Sequence, residues 1–266
     1  MSWVLIRGGG DLATGVAIRL HRAGLRVVVS ELGHPLAVRR AVSFSEAIYE
    51  REWTVEGITA VRAESLRDAH DLGTRGLVPV LVAPALVSFF SQRLDVVVDA
   101  RLTKRPPDTE TSMAPLVVGL GPGFVVGQHC HAVVETKRGH TLGRVAWAGT
   151  ALPDTATPDG DPRRVLRSPA DGTLVTRHDI GDEVEEGSAV ASVDGHVVVS
   201  PFRGILRGLL RNGALVSRGV KIGDIDNRCT RADCFLVSDK ALAVGGGVLE
   251  ALLTRPDLRA RLWSPC

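Results

Sequence analysis

The chain has 266 residues, a size that predicts two globular units of roughly 100–150 residues each, and its 44% hydrophobic and 23% charged residues suit a folded protein with real cores. A formal net charge of +2 is too small to argue for nucleic acid, and the longest apolar runs are strand-sized, which excludes a membrane span. Four cysteines in so long a chain make no disulfide framework, and the opening from Met1 to Arg7 lacks the basic start and apolar stretch of a signal peptide, so the expectation is a cytoplasmic protein with neither membrane nor nucleic-acid partner.

Residues 3–7 are apolar and β-branched, residues 8–10 are glycines, and residues 13–23 place Val16, Ala17 and Leu20 on one helical face before Gly24 stops the helix. Residues 25–31 read as a second buried strand. Together these make a βαβ unit of the length a parallel crossover needs. Further strands are predicted at 78–82, 95–99 and 116–120, helices at 64–72 and 84–93, and a hairpin at 53–61 turning at Glu56 and Gly57. The alternation of strands and helices predicts a Rossmann-like, mostly parallel sheet domain over residues 1–148.

Residues 149–162 are rich in Pro, Asp, Thr and Gly and read as a linker. Beyond them an internal repeat appears: Ser168, Pro169 and Gly172 return as Ser200, Pro201 and Gly204, and Gly181, Val184, Gly187 and Val190 return as Gly213, Val216, Gly219 and Ile222, all at an offset of 32. The pattern resembles the biotinyl or lipoyl carrier fold, so the expectation for residues 163–226 is a small all-β barrel-sandwich module. Carriers of that kind attach their cofactor to a lysine on the hairpin between the halves. Here that hairpin falls at 193–197 and has no lysine, so neither covalent biotin nor lipoate is expected. Residues 227–266 form a C-terminal segment with a helix capped at Ser238 or Asp239, whose Gly245 to Gly247 imply close packing.

The strongest chemical signal is Gly8-Gly9-Gly10-Asp11-Leu12-Ala13, a G-x-G-x-x-A turn between strand and helix, with Glu31 ending the next strand. Gly8 permits the tight turn, Gly10 lets the backbone approach a pyrophosphate, and Ala13 allows close helix packing. Glu31 is expected on a ribose hydroxyl, favouring NAD or another adenine dinucleotide over a 2′-phosphorylated one. Two loops are expected at the same crevice: 99–105, where Asp99 and Lys104 are the catalytic candidates, and 119–124, where Gly121 and Gly123 offer close backbone approach. His129, Cys130, His131 and His140 have no second close pair to complete a metal site, and Cys229 and Cys234 are spaced too widely for C-x-x-C. No metal site is assigned.

The blocks RGGGDLATGVAIRLHRAG, VRRAVSFSEAIYE, DARLTKR, APLVVGLGPGF, HAVVETKRGHTLGRV and SDKALAVGGGVLEALL together resemble the YqeB-type accessory proteins of the selenium-dependent molybdenum hydroxylase system, over nearly the whole chain. The resemblance implies a nucleotide-binding accessory factor in maturation or cofactor supply, with a molybdenum hydroxylase or other maturation proteins as partners. Two other readings come from different classes: a free-standing NAD-dependent oxidoreductase of a small metabolite, and a ligand-free scaffold that docks partner proteins.

Overall fold

Runs of Val, Leu and Ile that are buried on both faces make parallel strands, and in this chain they supply the interior of one large sheet. The computed structural model describes residues 3–83, 94–102, 107–153 and 160–263. These divide into a first unit of Met1–Pro35, Phe44–Thr155 and Val237–Cys266, and a second of Leu36–Ser43 and Ala156–Leu236.

The first unit contains β1 (Trp3–Arg7), β2 (Val27–Glu31), β3 (Glu52–Val55), β4 (Ile58–Ala63), β5 (Val78–Val82), β6 (Leu94–Asp99), β7 (Leu116–Leu120), β8 (Ala132–Val134) and β9 (Val145–Ala146). They form a nine-stranded sheet in the order β3-β4-β5-β2-β1-β6-β7-β8-β9. Pairing is parallel from β4 to β8, and only the outermost pairs, β3 with β4 and β8 with β9, are antiparallel. The predicted hairpin is β3 and β4, with Glu56 and Gly57 both at positive φ as a two-residue turn requires. Because β4 also pairs with β5, the hairpin extends the sheet. The helix expected at 84–93 lies outside the described residues.

Helices α1 (Asp11–Arg22), α2 (Ala47–Glu50), α3 (Leu66–Thr74), α4 (Asp239–Leu253) and α5 (Pro256–Leu262) complete this unit. The C-terminal helix α4 starts at Ser238, whose Oγ accepts the Ala241 N–H at 3.1 Å, and it lies directly on α1. A Cβ on Gly15 would stand 2.7 Å from Ala241, and one on Gly245 would stand 2.7 Å from the Gly15 carbonyl oxygen. Gly247 is closed off in the same way by the Gly143 carbonyl, whereas among the described residues nothing beyond its own helix meets a Cβ on Gly246 within 4 Å. No helix among the described residues is long and apolar enough to cross a membrane.

The second unit holds β10 (Val165–Arg167), β11 (Gly172–Thr176), β12 (Glu183–Val184), β13 (Ala189–Val193), β14 (His196–Val199), β15 (Gly204–Leu209), β16 (Leu215–Val216) and β17 (Lys221–Asp226). These form two separate four-stranded antiparallel sheets, β10-β17-β15-β12 and β14-β13-β11-β16. The fold class expected from the sequence, ending in a biotinyl or lipoyl-like barrel-sandwich module and then a helix, is therefore corrected. The chain has a nine-stranded mostly parallel sheet and two separate antiparallel sheets, with the last helices in the first unit. The repeat at offset 32 reports like turns on like strands, but it says nothing of pairing partners. Short β12 joins β15 from the other half of the repeat, and short β16 joins β11. One apolar core, with Leu174, Val190, Val193, Leu206 and Ile222, serves both sheets.

Candidate functional site

In the first unit β1 pairs with β2 on one side and β6 on the other, all parallel, while the chain continues outward in both directions. The carboxyl ends of these strands, marked by Arg7, Glu31 and Asp99, are therefore where loops splay apart and an open α/β sheet makes its crevice. A Cβ built on Gly8 would sit 3.4 Å from the Ala100 carbonyl group, so the loops after β1 and β6 meet there.

The three glycines of the first turn have different roles. Gly8 has φ +95°, a conformation side chains avoid, and its N–H donates to the Ser30 carbonyl at 2.8 Å. Gly9 is wedged by the protein itself: a Cβ there would lie 3.0 Å from the Ser45 nitrogen, and the Ser45 N–H donates to the Gly9 carbonyl at 2.9 Å. Gly10 has an ordinary φ of −67° as the residue capping α1, yet among the described residues nothing beyond its chain neighbours lies within 4 Å of its Cβ position. The turn is closed against the protein at Gly8 and Gly9 and open at Gly10. Asp11 opens α1 and Ala13 is buried, and Thr14 Oγ1 donates to the Gly10 carbonyl at 2.9 Å while accepting the Phe44 N–H at 2.9 Å.

Glu31 lies beside this turn, as its position at the end of β2 requires. Its Oε2 accepts the Gly9 N–H at 2.7 Å and its Oε1 accepts the Leu32 N–H at 2.6 Å. Burial pushes its carboxyl above the usual range, and the two backbone hydrogen bonds pull the other way. Each oxygen keeps acceptor capacity beyond these bonds.

Asp99 is fully buried and saturated. Arg101 grips it through Nε at 3.0 Å and an outer nitrogen at 2.6 Å, Thr109 Oγ1 donates to it, and Arg7 stands 3.6 Å away. Arg7 and Arg101 both also hold Asp108. Burial opposes the charge on Arg101, but bonds to Asp99 and Asp108 raise its pKa; Asp108 is held far below the carboxylate range, first by the Arg7 hydrogen bond. Two guanidiniums and two carboxylates balance, so the network braces the strand ends and leaves no free carboxylate at Asp99. Lys104 lies outside the described residues.

The loop after β7 is pinned. Gly121 has φ +74°, its N–H donates to the Val134 carbonyl at 2.9 Å, and a Cβ would lie 2.5 Å from Thr136 Oγ1; Gly123 has φ +100°. These two glycines answer to the turn's own geometry. His129 Nδ1 accepts the Val125 N–H at 3.0 Å and His131 Nδ1 accepts the Val117 N–H at 2.9 Å, so each ring caps a backbone group. Cys130 is buried, and burial lifts its thiol to about 11. Among the described residues no cluster of three or more His, Cys, Asp or Glu could hold a metal ion.

Sequence reasoning passed over Ser45, Thr14 and the Arg7, Arg101, Asp108 and Thr109 network. Thr14 had a local signal, a hydroxyl one turn into the helix after Gly10, whereas Ser45 reaches the turn from a distant segment and Asp108 and Thr109 reach Arg7 from another.

No family model matches the chain. Among solved structures it is similar to an aspartoacylase family protein from Mesorhizobium loti MAFF303099 at 16% identity, covering 84% of each chain with a TM-score of 0.27. It is also similar to a succinylglutamatedesuccinylase/aspartoacylase from Rhodobacter sphaeroides at 15% identity, again over 84% of each chain, with a TM-score of 0.25. Likenesses this slight carry no argument about function. Over 254 residues the chain is 46% identical to the uncharacterized protein YqeB of Escherichia coli (strain K12), a match that takes in 94% of this chain and 47% of YqeB, so that the chain spans about half the length of this homologue.

Proposed function

We propose that this chain is a nucleotide-binding accessory factor of the YqeB type, serving maturation or cofactor supply of a selenium-dependent molybdenum hydroxylase, and that the turn after β1 receives the pyrophosphate of NAD or another adenine dinucleotide. The observation that carries the binding reading is the opening at Gly10. Among the described residues, nothing beyond its chain neighbours lies within 4 Å of its Cβ position, while Gly8 and Gly9 meet their own chain. A helix start presents backbone N–H groups without intrahelical acceptors and the positive end of the helix dipole, about half an elementary charge, to whatever lies there. The residues present fit a pyrophosphate at Gly10, Asp11 and the first turn of α1, with the ribose toward Glu31. Bound there, a dinucleotide would supply a hydride-transfer group or a nucleotidyl group.

The accessory role rests on the sequence resemblance together with the state of Asp99, whose carboxylate is spent on Arg101, Thr109 and Arg7. Calorimetric titration with NAD tests the binding, and hydride transfer assayed with candidate metabolites tests the role. Binding without turnover supports the accessory reading. Turnover of an added metabolite would replace it with the free-standing oxidoreductase, and no binding of any adenine nucleotide would leave the ligand-free scaffold.

A further inference from the structure

The Glu31 carboxylate stands where an anion would. Its Oε2 accepts the Gly9 N–H at 2.7 Å and its Oε1 accepts the Leu32 N–H at 2.6 Å, so the turn after β1 already holds a negative group of the protein's own. Burial works against the charge on Glu31, and those two amides support it. The Glu31 backbone is fixed from the neighbouring strand: it is in register with Val82, and its carbonyl accepts the Ala83 N–H at 3.2 Å. A change at Glu31 is therefore a rotation of its side chain.

A second group beside the turn lacks an acceptor. Ser45 and Glu31 line the same side of Gly9, because a Cβ there would lie 3.0 Å from the Ser45 nitrogen and 3.3 Å from Glu31 Oε2. Ser45 is fully buried, and its hydroxyl has no hydrogen-bond partner among the described residues. Buried donors without acceptors are rare in native folds, and this one points to an acceptor that a ligand brings. The Gly9 N–H, on the same side, is taken by the protein's own carboxylate.

We propose, resting on the nucleotide reading of this turn, that Glu31 excludes bare anions from it and admits nucleotides. In the ligand-free chain the carboxylate covers the Gly9 N–H and repels a second negative charge. A nucleotide brings the means of moving it. Its ribose hydroxyls donate, the carboxylate rotates onto them, and the Gly9 N–H becomes available to the pyrophosphate. Inorganic phosphate and pyrophosphate bring charge without the diol, so they meet the carboxylate in place.

Calorimetric titration of the folded full chain with NAD and with inorganic pyrophosphate, in wild type and in Glu31→Gln, is the test. Glutamine keeps the shape and an acceptor for the Gly9 N–H but has no charge. Glu31→Gln should bind pyrophosphate about tenfold or more tightly than wild type, because a like charge has left a half-buried site, and NAD should not share the gain. A merely structural role for Glu31 would weaken both ligands together. Equal or weaker pyrophosphate binding in Glu31→Gln overturns the proposal, and NAD binding by the wild type then leaves the nucleotide reading standing. No binding of NAD by the wild type overturns both. Amide NMR on the wild type alone covers a variant that folds poorly: saturating NAD should shift the Gly9 N–H, and pyrophosphate at the same concentration should leave it in place. A Gly9 amide unmoved by NAD, or moved equally by pyrophosphate, overturns the proposal as well.

Discussion

The N–H of Gly9 donates to Oε2 of Glu31 at 2.7 Å, so the turn that follows the first strand is tied to the last residue of the second. The Glu31 carboxylate therefore also holds the glycine turn in shape. Position and conformation of the turn are coupled through one carboxylate, and this coupling shapes the first two expectations below.

Replacing Gly10 with valine should abolish nucleotide binding while leaving the fold intact. Its φ of −67° suits other residues, and among the described residues nothing beyond its chain neighbours lies within 4 Å of its Cβ position, so the added side chain enters the space where the proposal puts the pyrophosphate. Chemical denaturation should show a loss of no more than about 1 kcal/mol, because valine is a poorer residue than glycine at the start of a helix. Calorimetry should show no heat with NAD. Undiminished binding by this variant would move the ligand away from the turn.

Glu31 should make stability fall as pH rises. Burial raises its carboxyl above the ordinary 4.5, so between 4.5 and the folded-state value the native chain holds a proton that the unfolded chain has released. The unfolded state binds fewer protons there, and stability declines with pH across that window. Urea melts at a series of pH values should show this slope in wild type, and Glu31→Gln should lack it. An identical slope in both would place the titration elsewhere.

Three glycines on α1 and α4 should answer differently to alanine. Gly15→Ala and Gly245→Ala would each force a methyl within 2.7 Å of the partner helix and should cost about 1–3 kcal/mol through overpacking. Gly246→Ala meets nothing and should be neutral or stabilising by up to about 1 kcal/mol, the difference in helix propensity. Denaturation midpoints compare the three directly. Equal loss at all three positions would contradict the packing described for α1 and α4.

Arg164→Met should strongly weaken the second unit. Arg164 bonds Asp224 through Nε at 3.0 Å and Asp226 through an outer nitrogen at 2.7 Å, all three being buried, and removing the cation leaves Asp226 to Arg228 and Asp224 to the longer contacts with Arg207 and Lys221. Breaking such a buried group costs on the order of 3–5 kcal/mol. Burial favours the neutral form of Asp226, but bonds from Arg228 and the charges of Arg164 and Arg228 outweigh it and hold its pKa below 3.8. That contribution is complete above pH 3.8 and is lost as pH falls through the folded-state value. Acid unfolding followed by circular dichroism should therefore begin at higher pH in the variant.

What is local was legible in the sequence. Strand, glycine turn and helix follow each other within residues 3–22, and the apolar runs at 78–82 and 116–120 are strands with those bounds. The Ser238 cap and the turn at Glu56 and Gly57 follow from side chains and φ angles of adjacent residues. What only the tertiary structure decided is every relation between distant segments. The repeat identified similar strands in the second unit but not their partners, since alternation says which face is buried and nothing about which edge is paired. Asp99 read as a candidate acid because Arg7, which pairs with it across the sheet, and the Thr109 hydroxyl, which donates to it from the following loop, reach it only through parallel pairing and the loop path. Three consecutive glycines in α4 looked alike on the page. Gly245 and Gly247 meet other backbone and Gly246 does not, because helical rotation of about 100° per residue turns each toward a different neighbour.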